Sequence, residues 1–144
     1  MKKLLILLTF IVLSCEGDDN INPNCNFLFD AGVNLTVNTN LPQFSQLQFP
    51  SNGVYVPNQG NSGIWLWRFN SATLLAWDAA DPSRPPVACS TLMDIGGGIV
   101  ESSCEDANRY SLLTGQGFEG NSSICTLQPY RVDNLGNGQF FVSN

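Results

Sequence analysis

An all-β domain is the fold this sequence predicts, and three observations predict it. After the first fourteen residues no useful length of chain carries helical periodicity. Short apolar runs either alternate with polar residues at a period of two or stand as buried strands. Clusters of Gly, Pro, Asn and Ser separate these runs, as turns between many short strands require.

The first element is not part of that domain. Met1 to Lys3 is a short basic head, and Leu4 to Leu13 is apolar apart from Thr9. That run is too short to span a bilayer, so residues 1–14 read as a signal peptide. The sequence Val12, Leu13, Ser14, Cys15 looks like a bacterial lipobox, which implies cleavage before Cys15 and lipidation of its thiol. Acyl chains contribute roughly 0.8 kcal/mol per buried CH₂, and two chains anchor stably. The polar tether, 15–24, begins with the acidic run Glu16, Gly17, Asp18, Asp19. It resembles the surface-export signal of Bacteroidetes-type lipoproteins. The membrane is thus one expected partner, through Cys15, with the domain displayed on the outer membrane surface or, alternatively, facing the periplasm.

A single domain follows over 25–144, long enough for one core. Val33, Leu35 and Val37 alternate with Asn34, Thr36 and Asn38 as a half-buried strand. Leu41 to Pro50 reads as a loop pinned by Phe44, Leu47 and Phe49. After the turn Ser51 to Gly53, Val54 to Val56 is a short strand. Ile64 to Phe69 is a buried strand, and Leu74 to Trp77 returns as its hairpin partner around Asn70 to Ala72. The prolines at 82, 85 and 86 exclude regular structure from Asp81 to Pro86. Met93 to Val100 turns on three glycines, and Tyr110 to Leu113 is a strand stopped by Gly115. Leu127 to Asp133 and Gln139 to Ser143 form the last pair around Asn134 to Gly138.

Charge excludes one class of partner. The chain has 12 acidic residues, 6 basic residues and no histidine. Both lysines lie in the signal, leaving Arg68, Arg84, Arg109 and Arg131. Nucleic acid is not an expected partner, because phosphate contacts need clustered Lys or Arg. A protein or glycan partner is left unidentified. Cys25, Cys89, Cys104 and Cys125 form an even set in an oxidising compartment, which predicts two disulfides with three connectivities open. A zinc site is disfavoured by the absence of C-x₂-C spacing and of histidine.

Four features, in order, resemble a Rieske iron–sulfur domain. Leu74 to Asp78 leads into the Pro-rich loop Asp81 to Cys89, and the hairpin Ser90 to Val100 follows. Ser102, Ser103 and Cys104 then lead into Tyr110 to Gln116. Leu127 to Val132 pairs with Phe140 to Val142. The resemblance implies short antiparallel strands in small stacked sheets. It also implies cluster ligands at Asp81, Ser83, Ser102 and Glu105, with Asp106 the alternative to Glu105. A Rieske [2Fe–2S] centre takes two cysteines and two histidines; none of these positions carries either. The family's non-ligand cysteines, which bridge the two loops, fall on Cys89 and Cys104. The resemblance therefore implies the pair Cys89–Cys104, and with it Cys25–Cys125.

The expectation is a degenerate, cluster-free Rieske-like module that binds or assists rather than catalyses, with no cofactor. The alternative is a [2Fe–2S] electron carrier with unconventional ligation. Without histidine there is no Ser-His-Asp or Cys-His system. Glu101, Glu105 and Asp106 are the nearest candidates for a carboxylate pair, and Asp81, Asp94, Glu105 and Asp106 for a Ca²⁺ site. No motif supports either reading. Trp65, Trp67, Phe69, Trp77 and Tyr110 are expected mainly in the core, with a glycan or peptide platform as the other reading.

Overall fold

The computed structural model describes residues 22–144; the signal segment, Cys15 and the acidic run lie outside the described residues. Among the described residues nine strands form two antiparallel sheets, in keeping with the all-β class the sequence predicts. The larger has the order β1 (Asn34–Asn38), β9 (Gln139–Ser143), β8 (Pro129–Gly136), β4 (Leu74–Asp78), β3 (Ile64–Arg68), β2 (Gly53–Val56). The smaller is β5 (Leu92–Gly96), β6 (Ile99–Ser102), β7 (Arg109–Ser111).

Strand β3 explains why the two sheets stack. Its side chains alternate between faces, as in any strand, yet all five residues are buried. Ile64 and Leu66 enter one core with Val37, Leu47, Leu74 and Phe140. Trp65 and Trp67 enter the other with Leu92, Val100, Tyr110 and Leu127. A strand apolar on both faces must be covered on both faces, and the small sheet is the second cover. Trp65 Nε1 donates to Leu92 O at 2.9 Å and Trp77 Nε1 to Leu112 O at 2.8 Å, so the indoles also bolt the layers together. Gly98, with φ 72°, lets the β5–β6 turn lie on Trp67; a Cβ there would meet the ring at 2.8 Å.

Three expectations are corrected. The loop at 41–50 contains a 3₁₀ helix, Pro42–Gln48, begun by a proline that suits a first helical turn. Phe44 and Leu47 pin it, three residues apart on one side, but Phe49 is 64% exposed. Strand β3 ends at Arg68, and Phe69 faces solvent, because Phe69 and Asn70 already turn back onto Thr73 O. Strand β8 runs on to Gly136, so the last hairpin turns more tightly than the 134–138 segment suggests.

Candidate functional site

The loop from Ala79 to Thr91 and the segment from Ser102 to Asn108 face each other at one end of the small sheet. Cys89 and Cys104 join them in a disulfide with Cα atoms 4.9 Å apart. Ser103 N donates to Cys89 O at 3.0 Å, which continues the link along the backbone. The second disulfide, Cys25–Cys125, ties the N-terminal segment to the loop before β8. Both pairings agree with the resemblance.

Between the two loops lies a polar network centred on Asp81, which has no exposed surface. Asp81 Oδ1 accepts from Tyr110 OH at 2.7 Å, from Ser83 Oγ at 2.7 Å and from Ser83 N at 3.0 Å. Asp81 Oδ2 accepts from Asn108 Nδ2 at 2.9 Å. Arg84 Nε stands 3.3 Å from the same oxygen, near enough for charge attraction but without an aligned hydrogen bond. Arg84 also pairs with Asp106. The Asn108 amide reaches Ser83 Oγ and Ser122 Oγ as well, and Ser122 N returns a bond to Asn108 Oδ1 at 2.8 Å.

Burial alone pushes the Asp81 carboxyl up. The bonds from Tyr110, Asn108 and Ser83 outweigh it and hold the group below the usual carboxylate range. The Tyr110 phenol moves up for matching reasons: it is buried, and it donates to an anion. A second Asp–Tyr pair, Asp78 with Tyr130 OH at 2.6 Å, also holds Asn61 N; it stands at the end of β4 that leads into the first loop, where Asp78 Oδ1 accepts from Ala80 N at 2.8 Å.

The four candidate ligand positions are thus only partly gathered. Asp81 and Ser83 are bonded to each other. Ser102 is buried, its hydroxyl has no partner among the described residues, and its backbone N–H bonds Asn108 O. Glu105 is exposed, and the carboxylate that turns inward is Asp106. The longer spacing between Cys104 and Tyr110 is taken up by Ala107, at φ 44°, and by buried Asn108. Reading the sequence for cluster ligands passed over Asn108, Arg84 and Ser122. An asparagine two residues before an aromatic in a Ser-rich loop was the available signal.

A Rieske cluster does not fit this donor set. It needs thiolate and imidazole ligands; here are a saturated carboxylate, two hydroxyls and an outward carboxylate, beside cysteines already joined. Nor do the other candidates converge. Glu101 is held by Arg109 at 2.5 Å, and Asp106 by Arg84. Among the described residues no three Cys, Asp or Glu side chains are placed to share a metal ion, so Asp81, Asp94, Glu105 and Asp106 are not gathered. An open cavity of about 570 Å³ lies over the disulfide, lined by Arg84, Cys89, Ser103, Cys104, Glu105 and Asp106.

No family model matches the chain, and no curated protein matches it. Solved structures do. The chain is similar to the ferredoxin of carbazole 1,9a-dioxygenase from Nocardioides aromaticivorans, with 11% identity and a TM-score of 0.47, over 78% of this chain and 96% of that one. It is similar to a protein described as an NADPH nitrite reductase small subunit, with 24% identity and a TM-score of 0.41, over 75% and 97%. It is also similar to a protein described as an NADH-dependent nitrite reductase small subunit from Mycobacterium tuberculosis, with 20% identity and a TM-score of 0.44, over 80% and 97%.

Proposed function

We propose that this chain is a Rieske-like scaffold without a cluster, anchored to the outer membrane through Cys15 and acting at the cell surface as a non-catalytic binding or accessory module. The Asp81 network carries the reading. The two loops that would enclose a cluster are held together by a disulfide and by a buried carboxylate whose acceptor sites are used. Oxygen donors of this kind suit hard cations rather than iron–sulfur chemistry, and the absence of histidine removes the imidazole half of a Rieske ligand set. The lipobox-like segment ending at Cys15 and the acidic run after it support the anchor and its outward display.

The test is iron and acid-labile sulfide analysis, with a visible spectrum, on protein purified without oxygen. The expected result is a colourless protein free of iron. Stoichiometric iron with sulfide and a reducible paramagnetic signal would overturn the reading in favour of electron transfer. Metabolic labelling with a fatty-acid analogue tests the anchor separately; the Cys15→Ser variant is expected to lose the label.

A further inference from the structure

Strand β5 is an edge of the small sheet, and after Leu92 all its residues are exposed. Leu92 turns its backbone away from β6: its N–H donates to Ala79 O at 2.7 Å, and its carbonyl accepts from Trp65 Nε1 at 2.9 Å. Backbone direction alternates along an antiparallel strand, so Asp94, two residues on and paired with Val100 before the bulge, points its N–H and C=O the same way. Among the described residues neither group has a partner beyond the strand ladder. Beside this free edge is a largely apolar cavity of about 420 Å³, walled by Tyr55, Trp65, Leu92 and Met93 and rimmed by Asp94 and Ser103. That size suits a buried side chain or small ligand. Ser103 also lines the neighbouring cavity, where Glu105 and Asp106 stand.

From this arrangement we propose that β5 receives an extended, basic segment of a partner protein by strand addition. The segment exchanges two backbone hydrogen bonds with Asp94 and seats one large apolar side chain against Tyr55, Trp65 and Met93. Charge complementarity selects the occupant. Asp94 and Glu105 form no ion pair among the described residues, whereas Arg84, the cation of the adjoining cavity, is engaged by Asp81 and Asp106. The whole chain carries a net charge of −6. The inference rests on the binding-module reading and gives it a surface and a ligand class.

The probe is a capped Lys-Thr-Phe-Thr-Lys peptide titrated into the ¹⁵N-labelled domain. Saturable shifts are expected at Met93 to Gly96 and at the Trp65 indole N–H. N-methylation of the central residue, which removes its donor, should weaken binding about tenfold or more, and so should exchanging both lysines for glutamates. Asp94→Asn keeps the side-chain oxygen that accepts from Gly96 N and should narrow the preference for the basic probe. Met93→Ser, at a position 62% exposed, should weaken both probes without loss of fold. Three results would each overturn the proposal: no shift at β5, equal binding of the N-methylated probe, or shifts produced by methyl glucoside but not by peptide. Iron analysis of the same sample reports on the cluster-free reading alone, so the two can fail independently.

Discussion

A carboxylate with no exposed surface persists at position 81 because its lone pairs are occupied. Replacing Asp81 with Asn sets an NH₂ against the donors Tyr110, Ser83 and Asn108, and is expected to cost about 3 kcal/mol in denaturant unfolding. Tyr110→Phe removes one bond to the anion and should cost about 2 kcal/mol. The same network sets a pH dependence. The folded Asp81 has a lower pKa than an unfolded aspartate, so its contribution is complete at neutral pH and is lost as pH falls from about 4 through the folded value. Acid titration of stability in wild type and Asp81→Asn checks this: the variant should lack that part of the slope. At this scale the sequence was half legible. The absence of histidine could be read directly. The network at Asp81 could not, because Asn108 and Arg84 look like ordinary loop residues until folding brings positions 27 and 3 apart in sequence onto one carboxylate.

Elements were more legible than contacts. Strands with a strong signature, such as the alternation in β1 and the aromatic run in β3, fall where the residues place them. Their ends were less so. Strand β3 ends at Arg68, whose guanidinium donates to Ser71 O three residues on and lies over Phe140, 4.8 Å from the ring centre; the second contact is long-range, and residue type does not announce it. The disulfides act on different elements. Cys89–Cys104 closes a loop with a sequence separation of 15, and replacing both cysteines with serine should cost about 3 kcal/mol. It should also raise hydrogen exchange in 81–90 and 102–108. Cys25–Cys125 spans a separation of 100 but secures a segment whose only regular element among the described residues is the single 3₁₀ turn Pro23–Cys25. Its loss should first release that segment to limited proteolysis, leaving β1 to β9 protected.

The whole molecule depends on one strand facing two cores. Because β3 supplies Ile64 and Leu66 to one and Trp65 and Trp67 to the other, neither core can lose order without exposing the second. Tryptophan fluorescence, which reports mainly on the second core, and far-UV circular dichroism should therefore give coincident denaturation curves. Two separated transitions would show that the sheets unfold independently. The all-β class was legible at this scale from many short strands parted by Gly, Pro and Asn turns, and the stacking of the sheets only as what the family resemblance implied. Sheet order was not, since nothing local tells β1 to choose β9.

That choice has a consequence for synthesis. Val37 pairs with Phe140, and Val33 N donates to the side chain of Asn144. Strand β1 therefore waits for β9, made about a hundred residues later, before it can pair. Until then the core around Ile64 and Leu66 lacks Phe140 and Val142 and is open to any holding chaperone or neighbouring nascent chain, whereas the core of the tryptophans has its last residue at Leu127. A protein wired this way closes its larger sheet only once β9 has been made.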